Sequence, residues 1–107
     1  MSATFDILAT LTHEQAQQYV GTVFRLVHEA VPDYELKLHE VVLLMPNRPR
    51  SSRLKRDSFS MYFTGGPLLL PQAIYKLTSD AISFDGLFLV PLSRNDDGTY
   101  EYEAVFT

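Results

Sequence analysis

Tyr34-Glu35-Leu36-Lys37-Leu38-His39 alternates apolar and polar residues through three full periods. A period of two belongs to an extended strand, whose successive side chains point to opposite faces, so this segment has one buried and one wetted face. From Val41 to Met45 both faces become apolar, which predicts a bend, a bulge or a covering helix there. Upstream, Val31-Pro32-Asp33 is turn chemistry, because proline fixes one dihedral and Asp bonds its own backbone. Before that turn, Thr22 to His28 is rich in Val, Phe and Leu and reads as a strand.

The same period recurs downstream. Ser58 to Thr64 places Phe59, Met61 and Phe63 inward and Ser58, Ser60, Tyr62 and Thr64 outward. Gly65-Gly66-Pro67 ends that strand and reads as backbone freedom for a tight turn. Leu70-Pro71-Gln72 then forms a rigid corner, with a buried Gln72 bonding loop carbonyls, before a strand from Ala73 to Leu77. Ser79 to Gly86 reads as a connector, and Leu87 to Leu92 as a strand apolar on both faces. Pro91 places the end of that strand at an edge or a bulge. Asn95-Asp96-Asp97-Gly98 is a hairpin turn, and the last strand sets Tyr100, Tyr102, Ala104 and Phe106 opposite Glu101, Glu103 and Val105.

One helix start precedes the strands. Thr12 and Gln15 form a capping box flanked by Leu11 and Ala16, which predicts a short helix over 12–19 with Ala16, Tyr19 and Val20 facing in. Gly21 ends it. The expected architecture is therefore one domain over 1–107, with a helix at 12–19 and a β-rich body over 22–107. Five to six antiparallel strands without βαβ spacing predict a small β-barrel or a sandwich. Closure of unprotected edges favours the barrel.

Composition narrows the function classes. Hydrophobic residues make up 46% and charged residues 21% of the 107, which is globular composition. Without cysteine, disulfides, thiolate metal sites and cysteine nucleophiles are excluded. No secretory signal or membrane-length apolar run is visible, and the default compartment is cytoplasmic. The net charge of −4 conceals a segregation. Between Pro46 and Asp57 lie Arg48, Arg50, Arg53, Lys55 and Arg56, five of the nine bases, against Asp57 alone; the window carries +4 and the rest of the chain −8. A polar loop of about a dozen residues is at the length where loops are functional or mobile.

Catalytic patterns are weak. His28 and His39, each followed by a glutamate, flank the Pro32-Asp33 turn, but without close ligand spacing they read more simply as solvent-facing strand residues. No serine sits in a Gly-x-Ser-x-Gly elbow. Glu101 and Glu103 share a strand face, where general acid–base work competes with the plainer role of keeping a sheet edge soluble. No metal or cofactor is expected. The basic loop is the leading candidate, with Arg48, Arg50, Arg53, Lys55 and Arg56 as contacts and Tyr62 at its margin. The expected function is non-enzymatic protein binding, the partner being acidic at its contact surface. Two rivals are a small-molecule-binding barrel with its mouth near Tyr75, Phe88 and Tyr102, and a nucleic-acid-binding barrel. The acidic body opposes the latter.

Phe63-Thr64-Gly65-Gly66-Pro67, Leu70-Pro71-Gln72-Ala73-Ile74-Tyr75, Leu87-Phe88-Leu89-Val90-Pro91 and Tyr102-Glu103-Ala104-Val105-Phe106, with Val20 to Phe24 and Leu36 to Val41, together resemble a small, uncharacterised bacterial domain family of unknown function. The resemblance covers most of the chain from Val20 onward. It implies a compact β-rich domain with no assigned activity, whose genes neighbour phage-tail-collar-like proteins, and hence an accessory, adaptor or chaperone-like role. The family pattern has a shorter link between the second and third strands and a single Gly before Pro67. The Arg-rich loop therefore reads as this chain's own, and no family role transfers onto it.

Overall fold

The computed structural model describes residues 10–44 and 58–106. The capping box forms as expected: Thr12 Oγ1 accepts the Gln15 backbone N–H at 3.1 Å, and Gln15 Oε1 accepts the Thr12 N–H at 3.0 Å. The helix that follows, α1 (His13–Gln17), is shorter than predicted. Gln18 to Gly21 turn instead, and Gly21, at φ 99°, donates its N–H to the Leu38 carbonyl at 2.7 Å. That bond ties the turn to a strand and leaves Val20 exposed, against the inward placement expected of it. Leu11 and Ala16 are buried, and Tyr19 packs partly against the core.

Six strands follow: β1 (Val23–Val27), β2 (Glu35–Leu43), β3 (Phe59–Thr64), β4 (Ala73–Thr78), β5 (Phe84–Arg94) and β6 (Tyr100–Phe106). They close into an antiparallel barrel in the order β1-β2-β3-β6-β5-β4. Two three-stranded meanders are thus joined edge to edge, β3 to β6 and β1 to β4. β3 and β4 stand diametrically opposite in this ring, so the connection over 65–72 must cross the barrel. It does so over two inward tyrosines. Tyr34 donates its hydroxyl to the Leu68 carbonyl at 2.7 Å, and the Leu70 N–H donates to the Tyr102 hydroxyl at 2.8 Å. Leu70 is buried beneath the crossing.

The interior is filled by side chains, as in other small barrels. Phe24, Leu36, Leu38, Phe59, Met61, Phe63, Leu77, Phe84, Leu89 and Tyr102 have no more than trace exposure. Phe59 stacks on Phe106 at 4.7 Å, and Phe24 meets Phe63 edge to face at 5.8 Å. The change of pattern after His39 is a register shift between Leu38 and Glu40, a bulge on the strand that α1 packs against.

Three readings need correction. Gly65 is not there for a positive φ, which among the described glycines only Gly21 and Gly98 adopt. A Cβ at Gly65 would lie 2.6 Å from Tyr34 Oη and 2.8 Å from Tyr102 Cε2, so the crossing chain needs glycine for clearance. Gln72 is exposed rather than buried. The corner is held from inside by Tyr75, whose hydroxyl donates to the Pro71 carbonyl. Finally, β5 begins at Phe84, inside the expected connector, and runs to Arg94. Pro91 sits where its register with β6 slips, which spares the ladder the missing N–H.

Candidate functional site

Closing the barrel brings the outward residues of β2, β3 and β6 side by side. Register pairs Thr64 with Glu101, Tyr62 with Glu103 and Ser60 with Val105. His39, outward by the alternation of β2 and lying at the bulge between Leu38 and Glu40, reaches this wall. His39 Nε2 lies 2.6 Å from Glu101 Oε1. Thr64 Oγ1 and Asn95 Nδ2 donate to Glu101 Oε2 at 2.7 and 2.8 Å. Burial pushes the Glu101 carboxyl up, but the bonds from Asn95, Thr64 and His39 outweigh it and hold the group below its ordinary value. An ionised carboxylate only accepts, so His39 Nε2 carries the hydrogen of that contact.

Glu103 is engaged in the same way. Ser60 Oγ donates to its Oε2 at 2.6 Å and the Tyr62 hydroxyl at 3.1 Å. Ser60, outward as expected, is nonetheless fully buried under this contact. Burial raises the Tyr62 phenol, and its bond to Glu103 raises it further. Glu101 and Glu103 do not guard an edge, because β6 is paired on both sides. They are the acceptors of a seam that laces three strands and the 95–99 turn, with at least two donors on each carboxylate.

The structure distributes the other candidates. Arg48, Arg50, Arg53, Lys55 and Arg56 lie outside the described residues. The segment that carries them joins Leu44 to Ser58, neighbours through the Leu44 N–H to Ser58 carbonyl bond at 2.9 Å. Tyr62 lies on the outer wall, its hydroxyl committed to Glu103. The two histidines have different partners. His28 Nδ1 accepts the Ala30 N–H at 3.1 Å and its ring lies 6.3 Å from that of Tyr75, while His39 belongs to the carboxylate seam. No group of three or more His, Asp or Glu side chains suited to a metal occurs among the described residues. The trio expected at a barrel mouth is split: Tyr75 and Tyr102 are buried inside, whereas Phe88 is on the outer face.

One feature escaped the strand-by-strand reading. Ile74 on β4 pairs directly with Phe88 on β5, both facing out. On β6, Val105 lies two residues past Glu103, the partner of Val90. Exposures of 70% for Ile74, 48% for Phe88 and 53% for Val105 make this an apolar row across neighbouring strands. Each residue fits its own alternation as an isolated outward hydrophobe. Only the pairing of strands makes them one surface.

No helix among the described residues is long and apolar enough to cross a membrane. No curated protein and no solved structure matches the chain. Residues 11–106 match the family described as a domain of unknown function, DUF6916. That match runs from the residue before the helix cap to the last residue of β6, and the chain belongs to the DUF6916 family.

Proposed function

We propose that this domain is a non-enzymatic protein-binding module, an accessory or adaptor, that contacts an acidic partner through its Arg-rich segment. The observation that carries the reading is charge segregation: +4 within 46–57 against −8 in the remainder. Such segregation steers an acidic surface toward that segment. The carboxylates of the outer wall are engaged by neighbouring side chains, which favours a structural role for them over a catalytic one. The resemblance to bacterial domains with phage-tail-collar-like gene neighbours suits an accessory role, and a chain without cysteine suits a cytoplasmic setting.

The test compares the wild type with a variant carrying Arg50→Ser, Arg53→Ser, Lys55→Ser and Arg56→Ser. Both are used to retain proteins from host lysate at low and high salt, with identification by mass spectrometry. The expected result is an acidic protein held by the wild type, released as salt rises and lost from the variant. Equal retention by the variant would remove the segment from the function. Retention of nucleic acid in place of protein would transfer the function to the nucleic-acid reading.

A further inference from the structure

We infer that the outer wall of the barrel docks a basic amphipathic helix of a partner protein. Its apolar face lies on Ile74, Phe88 and Val105, and its Lys and Arg side chains meet Glu40, Glu103 and Asp85. The inference does not rest on the function proposed above; a different surface, of opposite charge, carries it. Single exposed hydrophobes are ordinary, but a contiguous row centred on an aromatic residue is the composition of an interface core. The row also runs on past Val105, which pairs with Ser60, as Ser60 does with half-buried Val42. Apolar surface therefore crosses five neighbouring strands, interrupted only by the buried Ser60. All six strands are already paired in the ring, so a partner meets side chains here and adds no strand.

The charges beside the row set the sign of the partner. A second transverse row lies two residues away, roughly 7 Å along the strands. It runs Val90, Glu103, Tyr62, Glu40, each paired with the next. Both bonds to Glu103 fall on Oε2, from Ser60 and Tyr62, so among the described residues its Oε1 is open to a further donor. Glu40 is exposed and makes no ion pair among the described residues. On the other side of the row Asp85, 96% exposed, has the Lys76 ammonium 4.0 Å away. Three carboxylates thus flank the row against one ammonium. A Lys or Arg stem laid over Val90 and Tyr62 reaches Glu103 and Glu40 while keeping its head in water. An amphipathic helix supplies this pattern, with apolar side chains at i, i+3, i+4 and i+7 and bases on its flanks.

Other occupants fit less well. A second copy of this chain would bring a further three carboxylates and one ammonium to the contact, and like charges at an interface oppose association. Anionic lipid and nucleic acid present negative charge throughout, which the same carboxylates repel. A small ligand needs a cleft, and the grooves beside Arg25, Glu35 and Lys37 include none of these side chains.

The experiment uses two synthetic peptides of equal positive charge, oligolysine and an amphipathic helix with one Lys face and one Leu face. Their affinities are measured by fluorescence anisotropy against the whole chain, Phe88→Ser, Ile74→Thr, and a double variant carrying Glu40→Gln and Asp85→Asn. All four substituted positions are exposed, and unchanged circular dichroism confirms each fold. The wild type is expected to prefer the Lys/Leu peptide by about tenfold, and Phe88→Ser and Ile74→Thr to abolish that preference without changing oligolysine binding. The double variant is expected to weaken both peptides and to flatten their dependence on salt. Equal binding of the two peptides by the wild type, binding of neither, or a preference that survives both row variants would overturn the proposal. So would a Lys/Leu affinity that the double variant leaves unchanged, since the carboxylates would then select nothing. Phe88-dependent binding of a Glu/Leu helix would give the row to an acidic partner, and a concentration-dependent dimer dissolved by Phe88→Ser would give it to a second copy. Phe88-dependent binding to phosphatidylserine vesicles would give it to lipid. Each of these three results overturns the proposal.

Discussion

The two faces of β6 hold polar groups under opposite conditions. Inward, Tyr102 is fully buried and its hydroxyl accepts the Leu70 N–H while lying 3.2 Å from the Tyr34 hydroxyl. Because Tyr34 gives its hydrogen to Leu68, Tyr102 is free to donate to Tyr34, and the crossing chain is bonded twice to the interior. Burial, then the contact with Tyr102, pushes the Tyr34 phenol up, which keeps its hydroxyl a neutral donor. Outward, Glu101 and Glu103 gather hydrogen bonds that water can replace when they break. Equal bonds carry unequal stakes, because a buried group left without a partner loses its solvation as well.

The comparison breaks most easily from the inside. Phe63→Ala, which removes a fully buried ring against Phe24, is expected to cost about 4 kcal/mol in equilibrium urea unfolding. A cost below about 1 kcal/mol would mean that the barrel interior collapses around the loss.

That first result concerns what was most legible. The alternation of Tyr34 to Leu38, of Phe59 to Phe63 and of Tyr100 to Phe106 named these inward residues correctly, since a strand's two faces follow from backbone geometry alone. The capping box and the Asn95 turn, closed by the Asn95 N–H to Thr99 carbonyl bond at 2.7 Å, were equally readable because their bonds are local.

Gly65→Ala is the next largest test. A Cβ there meets Tyr34 and Tyr102 at less than 3 Å, and the overpacking is expected to cost about 2–3 kcal/mol. A neutral substitution would show that the crossing can shift away from the tyrosines. Tyr102→Phe keeps the ring and removes only the hydroxyl; with the Leu70 N–H left buried and unmet, the expected loss is about 2 kcal/mol.

The outer face should respond less, and with a pH signature. Glu101→Gln is expected to cost about 1 kcal/mol at neutral pH, where His39, Thr64 and Asn95 bond a carboxylate. Glu101 is held below its ordinary value of 4.5 in the folded chain, so its contribution is full above that value and disappears as pH falls beneath it. The stability difference between wild type and variant should therefore shrink between about pH 6 and about pH 3. A difference that stays constant would assign the effect to shape rather than charge.

Length, charge segregation, strand periods, turns and the cap were determined by the sequence itself, because each depends on residues within a few positions of one another. Strand order was not among them. Nothing local says that β3 lies beside β6 and β4 beside β1; that follows from closing two meanders so that no edge stays open. Once closed, the barrel decided the rest. It turned Glu101 and Glu103 from an edge's solvating pair into a seam's acceptors, and made Gly65 a clearance beneath two tyrosines. It also assembled Ile74, Phe88 and Val105 from three strands into one apolar row. Residues dozens of positions apart acquire a common role only when tertiary pairing puts them within contact distance, and no periodicity within a single strand can record that.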